Sequence, residues 1–159
     1  MSTAARELPF FVYGTLRPGA YNHDRFLLGR TVAEESARLT GALLYDGPGY
    51  PYAVPAEGRT AGTAGGIGAG IAGDLVTAAP GAYGELLAVL DRLEEYRGPG
   101  HPRNLYERVE REVVRARDGA AVRAWVYLAA PGVPLGPLVA GGDWFTRSVP
   151  PLRGAPRTP

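Results

Sequence analysis

The sequence predicts an α+β fold in a single domain covering 1–159. Three observations carry this. Short runs with strand composition recur along the chain, separated by clusters of Gly, Pro, Asn and Asp. One segment, 80–95, has the apolar spacing of a helix packed on one face. Between 105 and 128 two strand-like runs flank an Asp-Gly pair, a strong local hairpin signal. At 159 residues the chain can bury a core sufficient to fold unaided.

Leu8 to Tyr13 is an apolar run that stops at Gly14, as a buried strand entering a loop does. The loop reads Gly14-Thr15-Leu16-Arg17-Pro18-Gly19. Asn22 or His23 can open a short helix carrying Phe26, Leu27 and Leu28. Strands are expected over Thr31–Leu39, Ala42–Tyr45 and Tyr50–Val54, with Asp46-Gly47-Pro48-Gly49 as a turn. The stretch near 57–70 is rich in Gly, Ala and Thr without periodicity and reads as a flexible surface loop. Ile71 to Val76 is a further strand.

In the helix of 80–95, Pro80 suits the first turn, and Tyr83, Leu86, Leu87, Leu90 and Leu93 form its apolar face. Leu105 to Arg117 reads as a long strand in which the Val113-Val114 pair breaks the alternation and suggests a bulge. Ala121 to Leu128 is the return strand after Asp118-Gly119. The tail beyond Ala130 is rich in Pro and Gly, and its last residues are expected to be loose.

Composition narrows the chemistry. All 17 basic residues are Arg, so Schiff-base chemistry and a phosphate-loop lysine are excluded. There is no Cys, which removes thiol nucleophiles, disulfides and thiolate metal sites. A net charge of +1 gives no reason to expect nucleic acid or an anionic membrane as partner. No run has the ~18 apolar residues of a membrane span, and Met1–Pro9 does not resemble the start of a secretory leader. The expected location is the cytoplasm. Heavy use of Gly, Pro, Ala and Arg without Lys suggests a GC-rich bacterial genome.

Two features can carry chemistry. Glu94 follows Leu90 by four residues and Leu87 by seven, which places it on or beside the buried helix face, while Asp91 and Glu95 are expected to point further toward solvent. A carboxyl group at the edge of an apolar face loses water, its pKa rises, and it becomes suited to proton transfer near neutrality. A structural alternative is a helix-end carboxylate paired with an Arg such as Arg108. The second feature is Tyr13-Gly14-Thr15-Leu16, where a sharp turn after a strand can expose consecutive N–H groups to an anion. An ordinary strand-to-loop turn accounts for the same residues.

Other readings are weaker. Gly68-Ala69-Gly70-Ile71-Ala72-Gly73 spells a dinucleotide-binding pattern, yet that pattern requires a helix after it and a strand is expected here. His23 and His101 lie among turn residues and read as solvated or capping groups rather than metal ligands. Ser2, Ser36 and Ser148 have no nucleophile-elbow context.

Taken together, the motifs resemble the γ-glutamylcyclotransferase-like family, which includes γ-glutamylamine cyclotransferases and AIG2-like proteins. Phe11-Val12-Tyr13-Gly14-Thr15-Leu16 is similar to the family's strand and YGTL loop, followed by Asn22-His23 and then Gly49-Tyr50-Pro51. Ile71-Ala72-Gly73-Asp74-Leu75 resembles its valine-x-glycine-glutamate-leucine strand. Leu90-Asp91-Arg92-Leu93-Glu94 resembles the helix ending in the catalytic glutamate. Tyr106-Glu107-Arg108 and Trp125-Val126-Tyr127 resemble its later strands, and Gly142-Asp143-Trp144 a C-terminal motif of some bacterial members. One departure stands out: Glu95 occupies a position where the family usually has Gly.

The resemblance implies a small mixed β-barrel with flanking helices and a pocket between the YGTL loop and the glutamate. It implies Glu94 as the catalytic residue, with Tyr13, Gly14, Thr15, Leu16, Tyr106 and Tyr127 binding substrate. No metal or cofactor is implied. The implied substrate is a small-molecule γ-glutamyl amide, whose own α-amine attacks to give 5-oxoproline and a free amine. The composition and the C-terminal motif further resemble bacterial members that remove a γ-glutamyl protecting group in antibiotic biosynthesis; a γ-glutamyl-lysine-type or γ-glutamyl-amino-acid substrate is equally compatible with the resemblance. The alternative is a catalytically inactive binding or interaction protein on the same fold, a reading that Glu95 favours.

Overall fold

The computed structural model describes residues 7–18, 20, 22–27, 29–56 and 70–145. Seven strands and two helices are found among them: β1 (Phe10–Val12), α1 (His23–Phe26), β2 (Thr31–Leu39), β3 (Ala42–Tyr45), β4 (Tyr52–Pro55), β5 (Ile71–Ala78), α2 (Tyr83–Leu93), β6 (Tyr106–Arg115) and β7 (Ala121–Ala129). Five strands close into a barrel in the order β1-β5-β2-β6-β7, and β3-β4 forms a separate hairpin. The barrel is mixed because β1 runs parallel to β7 while the other neighbours are antiparallel. The α+β barrel expected from the sequence is therefore the fold.

The unbroken apolar run of β1 has a simple cause: both of its faces are buried. Phe11 and Tyr13 join Leu39, Leu75, Val113, Val126 and Leu128 in the barrel core. Phe10 and Val12 face the other way, into a second core with Val76, Leu86, Leu90, Tyr106 and Tyr127. β7 alternates between the same two cores, with Ala124, Val126 and Leu128 in the first and Tyr127 in the second. Helix α2 closes the second core with Leu86 and Leu90, neither of which is exposed.

Gly73 keeps β5 close to β1. A Cβ there would lie 2.4 Å from the Val12 carbonyl oxygen and 2.6 Å from the Phe11 ring. The segment around Gly142 closes the barrel near the start of β5, where the Ala72 N–H donates to the Gly142 carbonyl at 2.8 Å.

Several sequence expectations are adjusted. The helix is shorter than 80–95 because Gly81 has φ 80° before it and Glu95 has φ 56° after it, and neither value continues a helix. The bulge expected at Val113-Val114 is not there: β6 pairs with β7 in unbroken register from Tyr106↔Ala129 to Val114↔Ala121. Val113 is buried and Val114 simply faces outward, while the irregularity lies in β2 between Thr31 and Ala33. β4 begins at Tyr52, because Tyr50 and Pro51 belong to the pocket loop. Leu28, the loop residues 57–69 and the tail 146–159 lie outside the described residues. No helix among the described residues is long and apolar enough to cross a membrane.

Candidate active site

The first residues of the site are set by the end of β1. Beyond Tyr13 the chain must pass beside Pro51, and a Cβ on Gly14 would fall 2.6 Å from Pro51 Cδ. Glycine is the residue that fits there. The loop then tightens through hydrogen bonds from Arg17 N to Gly14 O (3.1 Å) and from Asn22 N to Thr15 O (3.0 Å). The Asn22 side chain adds a second brace, donating from Nδ2 to Thr15 Oγ1 at 2.9 Å. Further along, Arg17 holds the loop to the barrel through Asp74 (2.9 Å) and Asp143 (3.0 Å). With these bonds made, the N–H groups of Gly14, Thr15 and Leu16 find no acceptor among the described residues. Three consecutive free donors of this kind can receive an anion.

Helix α2 delivers the carboxyl group. The helical bonding reaches Glu94, whose N–H donates to the Leu90 carbonyl at 2.9 Å. There it ends in a Schellman motif: the Tyr96 N–H donates to Asp91 O (2.9 Å) and the Glu95 N–H to Arg92 O (3.1 Å). The residue just past the cap must take a positive φ, and Glu95, at φ 56°, is the sole non-glycine to do so among the described residues. The Gly usual in the family meets that need without strain. Glu95 meets it against the preference of an L side chain.

The structure brings all seven residues singled out from the sequence to one pocket. Tyr13, Gly14, Thr15, Leu16, Glu94, Tyr106 and Tyr127 line a cavity of about 40 Å³, with Tyr50 and Pro51 completing its rim. A wider cavity of about 200 Å³ adjoins it, sharing Thr15, Tyr50, Glu94 and Tyr106 and adding Asn22, Leu93, Glu95 and Leu105. Glu94 thus lines both.

Glu94 is half-buried and lines the pocket. It has no hydrogen-bond donor or cation as partner among the described residues. Burial pushes its pKa up to about 8, and the carboxylates of Asp91 and Glu95 add to the rise. The pairing with Arg108 weighed from the sequence does not occur. Arg108 instead grips Asp91 with two bonds, at 2.8 and 3.1 Å, and stacks over the Trp125 and Tyr96 rings. Asp91 is thus not turned to solvent as expected. The third-turn geometry that points Glu94 inward brings Asp91 against β6 and β7.

The three pocket tyrosines give shape more than donors. Tyr13 donates to the Tyr127 carbonyl at 2.5 Å and accepts from the Ala53 N–H at 3.1 Å. Tyr106 donates to the Pro51 carbonyl at 2.6 Å, and Tyr127 to Asp91 Oδ1 at 2.6 Å. Burial, the largest cause in each case, raises all three phenol pKa values, so these protons stay in place. The loop amides of Gly14, Thr15 and Leu16 are backbone donors left free among the described residues.

Sequence reasoning missed the braces: Asn22 on Thr15, Arg17 between Asp74 and Asp143, and the Asp91–Arg108–Tyr127 group. Each joins residues distant in the chain, and single residue types at unremarkable spacing give no local signal. The other candidates stay apart from the pocket. His101 Nδ1 accepts from the Arg103 N–H at 3.0 Å as a capping group, and His23 faces Glu34. Ile71–Gly73 lies inside β5 rather than opening a helix, so the Gly-rich pattern, whose Gly68 and Ala69 fall outside the described residues, lacks its phosphate-binding context. No group of three or more His, Asp or Glu among the described residues is placed to hold a metal ion.

Comparison with known proteins bears on the family and the fold. Residues 10–146 match the family model described as Gamma-glutamyl cyclotransferase, AIG2-like. The chain is 34% identical over 118 residues to a Gamma-L-glutamyl-butirosin B gamma-glutamyl cyclotransferase from Niallia circulans, covering 74% of this chain and 64% of that protein. It thus spans somewhat less than two thirds of that relative. Among solved structures, an AIG2-like protein from Mus musculus superposes with a TM-score of 0.56 at 23% identity, covering 80% of each chain. An uncharacterized protein from Pyrococcus horikoshii gives 0.54 at 23% identity, over 86% of this chain and 89% of the other. The two solved structures share the fold. With the family match running across nearly the whole described chain, the protein belongs to the gamma-glutamyl cyclotransferase, AIG2-like family.

Proposed function

We propose that the protein is a cyclotransferase that converts a γ-glutamyl amide into 5-oxoproline and a free amine. One observation carries the reading: an unpartnered, proton-retaining carboxyl group, Glu94, shares a small pocket with three free loop amides. The amides of Gly14, Thr15 and Leu16 hold the substrate α-carboxylate. Glu94, in its ionised form, accepts a proton from the α-ammonium. The freed amine nitrogen attacks the γ-carbonyl carbon, and a C–N bond closes the five-membered ring. The original amide C–N bond then breaks, Glu94 returns its proton to the departing nitrogen, and the second proton of the ring nitrogen is lost to the released amine or to solvent, leaving the lactam N–H.

The proton affinities fit this cycle. A pKa of about 8 makes Glu94 a far stronger base toward the α-ammonium than an unperturbed glutamate near 4.5, while its protonated form remains able to return the proton. An intramolecular attack gains most from a fixed conformer, worth roughly 7–11 kcal/mol when fully oriented. Walls made of Tyr13, Tyr106 and Tyr127, each tied down through its hydroxyl, supply a rigid mould for it.

The relative's name, with its γ-glutamyl-butirosin substrate, supports a finer reading. In it the γ-glutamyl group protects an amine of a larger biosynthetic intermediate, and the protein removes it.

The test is to incubate the protein with a panel of γ-glutamyl amides and quantify 5-oxoproline. Glu94→Gln is expected to keep its melting temperature at low pH and to lose turnover by about 10²–10⁴-fold. Near-wild-type turnover in that variant would remove Glu94 from the mechanism.

A further inference from the structure

We propose that Glu95 is a specificity residue that selects γ-glutamyl amides whose leaving amine carries a further ammonium group, with the Asn22 amide oxygen as a second contact. The inference rests on the cyclotransferase reading of the Glu94 pocket and names the substrate class of that site. The pocket holding the loop amides is small, at about 40 Å³, and Glu94 also lines the adjoining cavity of about 200 Å³. The departing group is placed in that larger cavity.

Charge in that cavity is one-sided. Its walls hold two carboxyl groups, Glu94 and Glu95, and no arginine among the described residues. The Glu95 carboxylate forms no hydrogen bond or ion pair among the described residues, so it is not spent on the protein itself. Asn22 provides an independent sign of a missing donor. It is only 8% exposed, and its Nδ2 is committed to Thr15 Oγ1. Its amide oxygen has no donor among the described residues, and the residue lines the same cavity. A buried acceptor left without a donor is unfavourable.

An ammonium group carries three donors and a positive charge, which is the complement of these acceptors. A neutral alkyl tail would leave them unsatisfied, and an anionic one would be repelled. Glu95 also holds its place in a backbone conformation that glycine would adopt freely, so a charged side chain is kept at the cavity mouth against local preference.

The experiment compares two amides of equal length. One is γ-glutamyl hexylamide. In the other, γ-glutamyl-1,5-diaminopentane, an ammonium replaces the terminal methyl. The full chain is assayed for kcat/KM by 5-oxoproline release, and the Glu94→Gln variant for Kd by titration calorimetry. At low ionic strength the cationic amide is expected to be favoured by about fivefold, the scale of an exposed ion pair. The ratio should shrink toward one in 0.5 M NaCl. Glu95→Gln should bring it near one at low salt. Using a ratio cancels the effect of that substitution on the proton affinity of Glu94, which both amides share.

Efficient turnover of both amides with no preference, or a preference that survives Glu95→Gln, would overturn the inference and leave the cyclotransferase reading intact. No turnover of either, but tighter binding of the cationic amide that Glu95→Gln abolishes, would overturn the cyclotransferase reading and keep Glu95 as the charge selector. Neither turnover nor differential binding would overturn both.

Discussion

The Tyr127 hydroxyl and the Asp91 carboxylate meet at 2.6 Å, through the same Oδ1 that accepts from Arg108 Nε at 2.8 Å. Asp91 lies three residues before Glu94 on α2, so the wall of the pocket and the helix that carries its acid share one anchor. Asp91→Asn removes the charge that Arg108 grips while that guanidinium stays largely buried, with its side chain 16% exposed. A loss of about 1.5–3 kcal/mol in stability is expected, the scale of hydrogen bonds to charged groups. Tyr127→Phe, which deletes one bond and keeps the ion pair, should cost less. Urea titrations of the two variants check this ordering; equal stability of Asp91→Asn and the parent would show that the anchor carries no weight.

The raised pKa of Glu94 makes a prediction about stability that does not depend on substrate. Its folded-state value is about 8, against 4.5 for an unperturbed glutamate. Below pH 4.5 the carboxyl is protonated in both folded and unfolded chains, and the stabilisation is fully present. Between 4.5 and 8 the unfolded chain releases the proton and the folded chain retains it, so stability falls as pH rises. Above 8 the group is ionised in both and the loss is complete. The total is on the order of several kcal/mol. Glu94→Gln cannot ionise, so its melting temperature should exceed that of the parent at pH 8–9 and match it near pH 4. Parallel melting-temperature profiles for the two proteins would show that Glu94 titrates as an ordinary carboxyl group.

Glu95→Gly separates two consequences of one residue. The left-handed φ of 56° costs a non-glycine residue about 1 kcal/mol, and the Schellman hydrogen bonds need only the backbone. The variant should therefore unfold at a higher urea concentration with an unchanged m-value. Removing the neighbouring carboxylate should also lower the Glu94 pKa below about 8, since Glu95 contributes to its rise. The acid limb of the pH–rate profile should move to lower pH accordingly. A destabilised variant would mean that the Glu95 side chain makes a contact worth more than the strain.

Much of this arrangement was legible before any coordinates. Strands β2 and β3 fall on the expected residues because their turns are marked by glycine and by alternation of exposure along β2. Glu94 could be placed on the buried face because Leu86 and Leu90 fix the phase of α2. Helix phase singles out Glu94 and turn chemistry singles out Tyr13–Leu16, while Tyr106 and Tyr127 follow only from the ordered motifs. What could not be read was long-range: Arg17 reaching Asp74 and Asp143, 57 and 126 residues away, or Asp91 turning to Arg108 and Tyr127. Phase on a helix tells which residues face inward, but a side chain at the boundary can turn to either side, and its partner decides. The Val113-Val114 slip misled for a related reason, since an apolar residue on the outer face of a strand looks in sequence like a change of register.

Gly14→Ala tests whether the placement of the loop amides matters for turnover. The added Cβ would sit 2.6 Å from Pro51 Cδ and 2.8 Å from Cγ, well inside contact distance. Pro51 is poorly able to yield, because its ring is rigid and its carbonyl is held by the Tyr106 hydroxyl at 2.6 Å. The loop must move instead, carrying the Thr15 and Leu16 N–H groups away from Glu94. Overpacking of this kind costs about 1–3 kcal/mol in stability. A shift of about 1 Å in a reacting group can lower turnover by about 10²-fold. Gly84→Ala is the matched control: it lies exposed in α2, with no atom within 4 Å of the added Cβ. There alanine should raise stability by about 0.5–1 kcal/mol through helix propensity and leave turnover unchanged. Urea unfolding and 5-oxoproline release, measured on both variants, separate a misplaced loop from a generally weakened fold. Unaltered turnover in Gly14→Ala would mean that the loop amides do not orient the substrate.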